Sequence, residues 1–184
     1  MMNEDIQFLK ELQQELKTQD NDCQAAPRFW ALMDYRWVTC PPDDHERVSV
    51  VFPEEGEDYV LDDLVNDIIN YESSCSYCYT VDHSAIDDLR EMVDYFMTDE
   101  DELLEWVRVN IDSEAYLVYE REEEFIVPNT MFLTKQEAKN HIKVNHYHYT
   151  SKVHTYAMTA WRAPKVERLI NILENFDWGS LKEG

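Results

Sequence analysis

The sequence has very little glycine. Only three of its 184 residues are glycine, and two of these lie among the last six positions. Loops that bind phosphate groups through backbone amides are rich in glycine, and a G-x-S-x-G nucleophile turn needs two. The sequence therefore supports neither a nucleotide-binding loop nor a serine hydrolase. It singles out no catalytic residue, and it favours a protein that is not an enzyme and needs no cofactor.

Cysteine is also scarce. The four cysteines, Cys23, Cys40, Cys75 and Cys78, are too few and too irregularly spaced for a disulfide framework, which fits a reducing cytoplasm. Cys75 and Cys78 have the C-x-x-C spacing of zinc knuckles and redox sites, but a zinc site of this kind needs a second pair. We expect the cysteines to be small buried residues at a helix end.

No long apolar run occurs. A membrane-spanning helix needs about 18 or more consecutive apolar residues, and no stretch of the chain approaches that length. The first residues, M-M-N-E-D-I-Q, are acidic where a secretory signal has a basic segment. The sequence therefore predicts a cytoplasmic protein with neither a signal peptide nor a membrane anchor.

Positive charge is in short supply. Sixteen Lys and Arg residues oppose 39 Asp and Glu, which gives a formal net charge of −23 and a pI near 4.4. Such a chain would repel the phosphates of nucleic acids and of anionic membranes instead of releasing their counterions. We therefore expect its partner to be a basic protein, with no direct binding to nucleic acid or membrane.

The charge is unevenly distributed along the chain. Residues 1–128 contain 8 basic and 34 acidic residues, a net of −26, whereas residues 129–184 contain 8 and 5, a net of +3. This boundary divides the chain into an acidic α+β region, 1–128, and a C-terminal β-α-β-α module, 129–184. We expect the two to pack together as one compact unit.

Helical periodicity is strong in the first two thirds of the chain. Apolar residues three and four positions apart predict a helix at 4–18 and three short helices between residues 59 and 109. Ser84 and Thr98 are each followed three positions later by an acid, and they are the predicted N-caps of the second and third of these short helices.

The C-terminal module contains two further helix signals. Thr134 and Glu137 form a capping box at the start of a helix over 135–143. Pro164 suits the first turn of a helix over 164–175. β-prone residues predict strands at 28–40 and 47–52, which could pair as a hairpin, at 115–120 and 124–127 around the polar R-E-E segment, and at 131–133 and 154–161.

Apolar residues with helical spacing and apolar residues in strand-like alternation both occur in this chain, and this combination decides the fold class. It predicts an α+β protein with short mixed or antiparallel strands, about five helices and an acidic helical middle. The residues predicted to contribute to the core are Trp30, Trp37, Phe125, Ile126, Phe132, Tyr156, Met158, Trp161, Leu169 and Leu173.

A histidine cluster lies near the C-terminus. His146 and His148 would point to one face of an extended segment, and His154 could approach them across a turn to form a zinc or nickel site. No Cys or acid nearby completes such a set, so half-buried histidines hydrogen-bonded to the backbone are the favoured interpretation.

The acidic middle supplies the candidate binding surface. Carboxylates three and four positions apart on a helix lie roughly 6 Å from each other, similar to the phosphate spacing along one strand of nucleic acid. Residues 41–127 contain 27 acidic and 4 basic residues, more charge than solubility requires. The predicted partner-binding residues are Asp87, Asp88, Glu91, Asp94, Asp99, Glu100, Asp101, Glu102 and Glu105.

Both ends of the chain resemble known proteins. The motifs are E-L-K-T-Q-D-N-D-C-Q-A-A-P-R-F-W at 15–30, M-F-L-T-K-Q-E-A-K-N-H-I-K-V-N-H-Y-H-Y at 131–149 and H-T-Y-A-M-T-A-W-R-A-P-K-V-E-R-L at 154–169. They resemble a family of small acidic bacteriophage and prophage proteins of unknown function. The resemblance implies a phage origin and a bacterial host cytoplasm, and it transfers no catalytic residue.

Three functions follow as expectations. The first is a phage-encoded inhibitor of a bacterial defence system, such as an anti-CRISPR protein that binds an effector nuclease as an acidic nucleic-acid mimic, with the C-terminal module as scaffold or homodimer contact. The second is a metal-dependent or nucleotide-handling accessory enzyme that uses the C-terminal histidines and Arg162. The third is a non-catalytic adaptor that binds host proteins.

Overall fold

A computed structural model describes residues 2–20, 26–70, 81–94 and 99–180. These residues form α-helices and one antiparallel sheet, so the predicted α+β fold class is confirmed. The helices in this part of the chain are α1 (Met2–Thr18), α2 (Leu61–Asn70), α3 (His83–Asp94), α4 (Glu100–Asn110), α5 (Lys135–Val144) and α6 (Pro164–Asn175).

The sheet has five strands in the order β3-β2-β4-β1-β5. β1 pairs with β5 in antiparallel orientation, and β2 pairs with β3 and with β4 in the same way. Ser49 of β2, which lies between β3 and β4, is therefore opposite Val60 on one side and Val118 on the other. The strands are β1 (Arg28–Thr39), β2 (Arg47–Phe52), β3 (Glu57–Val60), β4 (Tyr116–Ile126) and β5 (His154–Thr159).

Three strand predictions were wrong. β1 and β2 are not a hairpin, because β4 lies between them in the sheet. The two strands predicted at 115–120 and 124–127 are one continuous strand, since the R-E-E segment contains none of the Gly, Pro or Asn residues that would turn the chain. Residues 131–133 form only a single bridge, between Phe132 and Trp30.

The short strand β3 was missed. Its sequence, E-D-Y-V, begins with two acids of low β-propensity, so no pattern marks it. Its position depends on the preceding turn, in which Gly56 has a φ of 70°, a conformation that side-chain-bearing residues rarely adopt. This turn reverses the chain and pairs β3 with β2.

Contacts divide the chain into two compact units. The acidic unit is Trp37–Glu123, and the terminal unit consists of Met1–Arg36 and Glu124–Gly184. Contacts therefore do not follow the charge boundary at residue 128, because α1 and the first part of β1 belong with the C-terminal elements. The predicted division was based on charge, which says little about which elements pack together.

The core of the acidic unit is built by β2 and three helices. Helices α2, α3 and α4 each place one apolar stripe on it, as their periodicity predicts. The most deeply buried residues in this core are Val50, Phe52, Leu61, Leu64, Ile68, Ile86, Leu89, Val107 and Ala115.

The terminal unit contains two smaller clusters. In one, Leu16 of α1 packs against Ile170 and Leu173 of α6. In the other, Trp30 and Leu32 of β1 pack with Ala138 of α5. Because this unit has two small clusters and not one large core, many of its apolar side chains are only partly buried.

The predicted core is correct only in part. Trp30 and Leu173 are buried, and Phe125, Phe132 and Met158 are half-buried. Leu169 is 55% exposed because α6 turns its neighbouring Ile170 towards α1. The other incorrect predictions are Trp37, Ile126, Tyr156 and Trp161, all of which are exposed.

Two of the exposed tryptophans have cationic neighbours. The guanidinium of Arg47 lies 3.9 Å from the ring centroid of Trp37, and that of Arg162 lies 4.4 Å from Trp161. An aromatic face covered by a guanidinium can remain near water, because the cation–π attraction partly replaces burial. The prediction that Trp37 and Trp161 are core residues was therefore wrong, because an aromatic side chain need not be buried.

Side-chain caps were predicted at the starts of α3, α4 and α5. The prediction that Thr134 caps α5 is confirmed, because its hydroxyl accepts a hydrogen bond from the Glu137 amide. Ser84 does not cap α3: the helix already begins at His83, and the carboxylate of Asp82 accepts from the Ser84 amide and hydroxyl. These hydrogen bonds lower the pKa of Asp82.

The N-cap of α4 is Asp99, whose carboxylate accepts a hydrogen bond from the Asp101 amide. An acid at this position also interacts favourably with the helix dipole. The predicted cap, Thr98, lies outside the described residues.

Candidate partner-binding surface

Nearly all the net charge belongs to one unit. The acidic unit contains 26 Asp and Glu residues and 4 Lys and Arg, a formal net charge of −22. The terminal unit contains 13 and 12, a net charge of −1. The acidity is therefore a property of a single compact unit.

Helices α3 and α4 display these acids because their other faces are buried. Ile86 and Leu89 of α3 and Leu103 and Val107 of α4 are in the core of the acidic unit. With 3.6 residues per turn, the acids between these positions must face away from the core. Trp106 fixes the two helices together, since its indole nitrogen donates to the carbonyl of Ala85 at 3.1 Å.

Three of the nine predicted binding residues have roles within the protein. Asp87 forms an ion pair with Arg90 at 2.9 Å, and Arg90 also donates to the carbonyl of Ile69. Asp99 caps α4. Glu100 lies 3.3 Å from the imidazole of His45. These carboxylates are partly neutralised or already hydrogen-bonded, so they contribute less to an external surface.

The ring of Tyr119 lies beside this part of α4. Burial raises the pKa of Tyr119, and the charges of Glu100 and Asp101 together with a hydrogen bond to Glu100 raise it further. The phenol donates a hydrogen bond to Glu100, and His45 packs edge-on against the ring at 5.1 Å. This arrangement holds the first turn of α4 in place.

Three other predicted residues come together around a groove. Asp88 of α3 and Glu102 and Glu105 of α4 line an open groove of about 610 Å³. The rest of its lining consists of Met92, Trp106, Val109 and Asn110. The sequence did not single out Met92, Trp106, Val109 or Asn110 as site residues. The spacing of Trp106, Val109 and Asn110, three and four positions apart, is the signal that they share a helix face.

The remaining predicted residues lie outside this groove. Glu91 and Asp101 are exposed on α3 and α4. Asp94 is the last residue of α3, and its side chain lies outside the described part of the structure. The nine acids therefore do not form one uniform row. Three line the groove, three bind other residues of the protein, two lie exposed elsewhere, and the side chain of Asp94 is not described.

A partly buried ion pair supports the sheet of the acidic unit. The carboxylate of Glu120 on β4 accepts hydrogen bonds from Nε of Arg47 at 2.9 Å and from the hydroxyl of Ser49 at 2.7 Å. Burial tends to raise the pKa of Glu120, but these two hydrogen bonds and the Arg47 charge outweigh it and lower the pKa. The pair joins β2 to β4.

The histidines do not assemble as a metal site. His146 and His148 lie in a short 3-10 turn, not in an extended segment. His154 lies at the start of β5 with its imidazole 3.3 Å from Glu124. Among the described residues, no group of three or more His, Cys, Asp or Glu side chains is arranged to hold a metal ion.

Of the four cysteines, Cys40 lies in the described part of the chain. Cys23, Cys75 and Cys78 lie outside the described residues. Cys40 follows β1 as a half-buried free thiol. Its environment does not extend the candidate binding surface.

The described residues include no helix that is long and apolar enough to cross a membrane. Comparison with models of known protein families gives no match to this chain, and no curated protein or solved structure matches it.

Proposed function

We propose that this protein is an inhibitor that occupies the nucleic-acid groove of a basic host protein by mimicking the charge of a nucleic acid. Its target class is a bacterial defence system, such as a CRISPR effector nuclease, and it acts in the host cytoplasm. The main support is the net charge of −22 confined to the acidic unit.

The cost of this charge distribution supports a binding role. Like charges held close together on a folded surface destabilise it, and solubility alone is satisfied by a much smaller net charge. Asp88, Glu102 and Glu105 have no Lys, Arg or His partner within ion-pair distance in the described part of the chain. A basic partner would supply the missing countercharge.

Mimicry of this kind would use electrostatics at two stages. The field of the acidic unit would attract a basic groove and accelerate association, and the exposed carboxylates would then take positions that phosphates otherwise occupy. A folded protein offers no phosphodiester bond, so a nuclease could not cleave it. Binding would weaken as ionic strength rises.

The choice of target class depends on the phage-protein resemblance at the two ends of the chain. Phage accessory proteins commonly act on host machinery, and a protein that degrades phage nucleic acid must have a basic groove. The terminal unit, with a net charge of −1, would serve as scaffold or homodimer contact.

The test is capture from lysates of defence-competent bacteria. The bait is the full chain, and a variant carries Asp88→Lys, Glu102→Lys and Glu105→Lys. We expect the wild type to capture a nucleic-acid-binding protein at low salt and the variant to lose it.

A control variant has the same charge change elsewhere. Glu4→Lys, Asp5→Lys and Glu11→Lys alter exposed residues of α1, including its first turn, as Glu102→Lys alters the first turn of α4. This control should retain capture, and circular dichroism should show both variants folded. A captured protein that does not bind nucleic acid, or equal loss in both variants, would contradict the proposal.

A further inference from the structure

The groove between α3 and α4 combines two kinds of lining. Its apolar part consists of Met92, Trp106 and Val109. Trp106 is only 7% exposed and held by a hydrogen bond to the backbone, whereas Val109 is 73% exposed. The groove therefore has a fixed aromatic floor beside an open aliphatic wall, and it lies on the strongly acidic unit.

The polar lining is anionic. Asp88 approaches from α3, and Glu102 and Glu105 approach from α4. Asp87, one position away, already has Arg90 as its ion-pair partner, but no described cationic side chain reaches the three groove acids. The groove thus presents an apolar surface next to carboxylates that lack a countercharge.

This combination discriminates between ligands. Among the described residues, no group of three or more His, Cys, Asp or Glu side chains could hold a metal ion, so the groove acids are not such a group. A lysine ammonium is strongly hydrated and gains little from an apolar floor. Arginine has an aliphatic stem that packs on apolar surface and a planar, weakly hydrated guanidinium that stacks on aromatic rings and binds carboxylates through paired hydrogen bonds.

We propose that the groove between α3 and α4 binds an arginine side chain of the partner protein. The inference rests on the proposed function and narrows it: the acidic unit supplies a general attractive field, and this groove supplies the specific contact. A partner that presents an arginine within its nucleic-acid groove would be favoured over one that presents only lysine.

The test uses fluorescently labelled nona-arginine and nona-lysine peptides, which have equal charge, with the full-length protein. Affinities are measured by fluorescence polarisation in about 150 mM NaCl, where long-range attraction is screened. We expect the arginine peptide to bind about fivefold more tightly than the lysine peptide. Glu105→Gln should weaken arginine-peptide binding about tenfold, and Val109→Thr about threefold.

Two controls separate the groove from the general field. Glu91→Gln makes the same charge change on the exposed surface of α3, and Val93→Thr changes a valine that is 41% exposed; neither residue lines the groove. Each should change affinity less than about twofold. If Glu91→Gln and Glu105→Gln weakened peptide binding equally, or if the arginine peptide bound no more tightly than the lysine peptide, the arginine site would be excluded. The proposed binding role of the acidic unit would still stand. If neither peptide bound the wild type even at low salt, the proposed function would fail as well.

Discussion

Replacing Glu120 with Gln should destabilise the acidic unit in a pH-dependent way. The Glu120 side chain is 15% exposed, and its carboxylate binds both the Arg47 guanidinium and the Ser49 hydroxyl. Gln preserves the size and one acceptor oxygen but removes the charge. Arg47 would then lie partly buried against Trp37 without its anionic partner.

The expected magnitude follows from this geometry. A hydrogen bond to a charged group contributes about 1.5–3 kcal/mol, so we expect Glu120→Gln to lower the free energy of unfolding by about 2 kcal/mol at neutral pH. For a chain of this length, that loss corresponds to a fall in Tm of about 4–8 °C.

The pH dependence provides a second signature. Because folding lowers the pKa of Glu120, its contribution is present above the unfolded-state pKa and is lost as pH falls through the folded-state pKa. The difference between wild type and variant should therefore be largest near neutral pH. It should shrink as pH falls below about 4.3, the ordinary pKa of a glutamate in the unfolded chain.

Urea unfolding followed by tryptophan fluorescence, repeated in steps from neutral to acidic pH, measures this difference. Glu123→Gln is the matched control, since it removes the same charge from an exposed position on the same strand. The control should change stability by less than about 0.5 kcal/mol. Equal effects of the two substitutions, or a Glu120→Gln effect independent of pH, would refute the role given to this ion pair.

Three further predictions concern stability and are measured by thermal or urea unfolding monitored by circular dichroism. Asp99→Ala should cost about 1 kcal/mol through loss of the α4 cap, while Asp99→Asn should retain most of it; equal effects would exclude capping. Leu173→Ala should cost about 2–5 kcal/mol because it leaves a cavity between α1 and α6, whereas the more exposed Leu169→Ala should cost much less; the reverse order would contradict the packing. Thr134→Ala should cost about 1 kcal/mol of stability, and Thr134→Ser, which keeps the hydroxyl, should retain most of it. Equal losses for Ala and Ser would show that the hydroxyl does not cap α5.

Helices could be predicted from the sequence because their signals are local. Thr134 with Glu137 and Pro164 each determine a helix start within a few residues, and the observed α5 and α6 begin where these signals place them. Where two acceptors compete, as Asp82 and Ser84 do at α3, the sequence cannot decide which one caps the helix. In the structure the acceptor is the Asp82 carboxylate.

Strand pairing could not be predicted in the same way. β2 pairs with β4, far along the chain, and Arg47 and Ser49 of β2 donate hydrogen bonds to Glu120 of β4 across this pair. No local pattern encodes that choice, since an alternating strand is compatible with several neighbours. The hairpin of β1 with β2 was the simplest pairing, but it was wrong.

The candidate surface shows the same limit. Composition identified the acidic helices, and periodicity placed their acids on the outer faces. The pairing of Asp87 with Arg90 lies within one helix and could have been anticipated from the spacing of three. The contact of His45 with Glu100 and the grouping of Asp88 with Glu105 depend on tertiary packing.

The central claim is that the acidic unit and a nucleic acid compete for one groove on a basic host protein. The most direct measurement is a competition assay with the purified captured partner, its labelled guide RNA or target DNA, and increasing amounts of this protein. We expect the wild type to displace the nucleic acid, and we expect displacement to weaken as salt rises. The variant with Asp88, Glu102 and Glu105 changed to Lys should fail to displace it. Formation of a stable ternary complex, with nucleic acid and this protein bound to the partner at the same time, would contradict it.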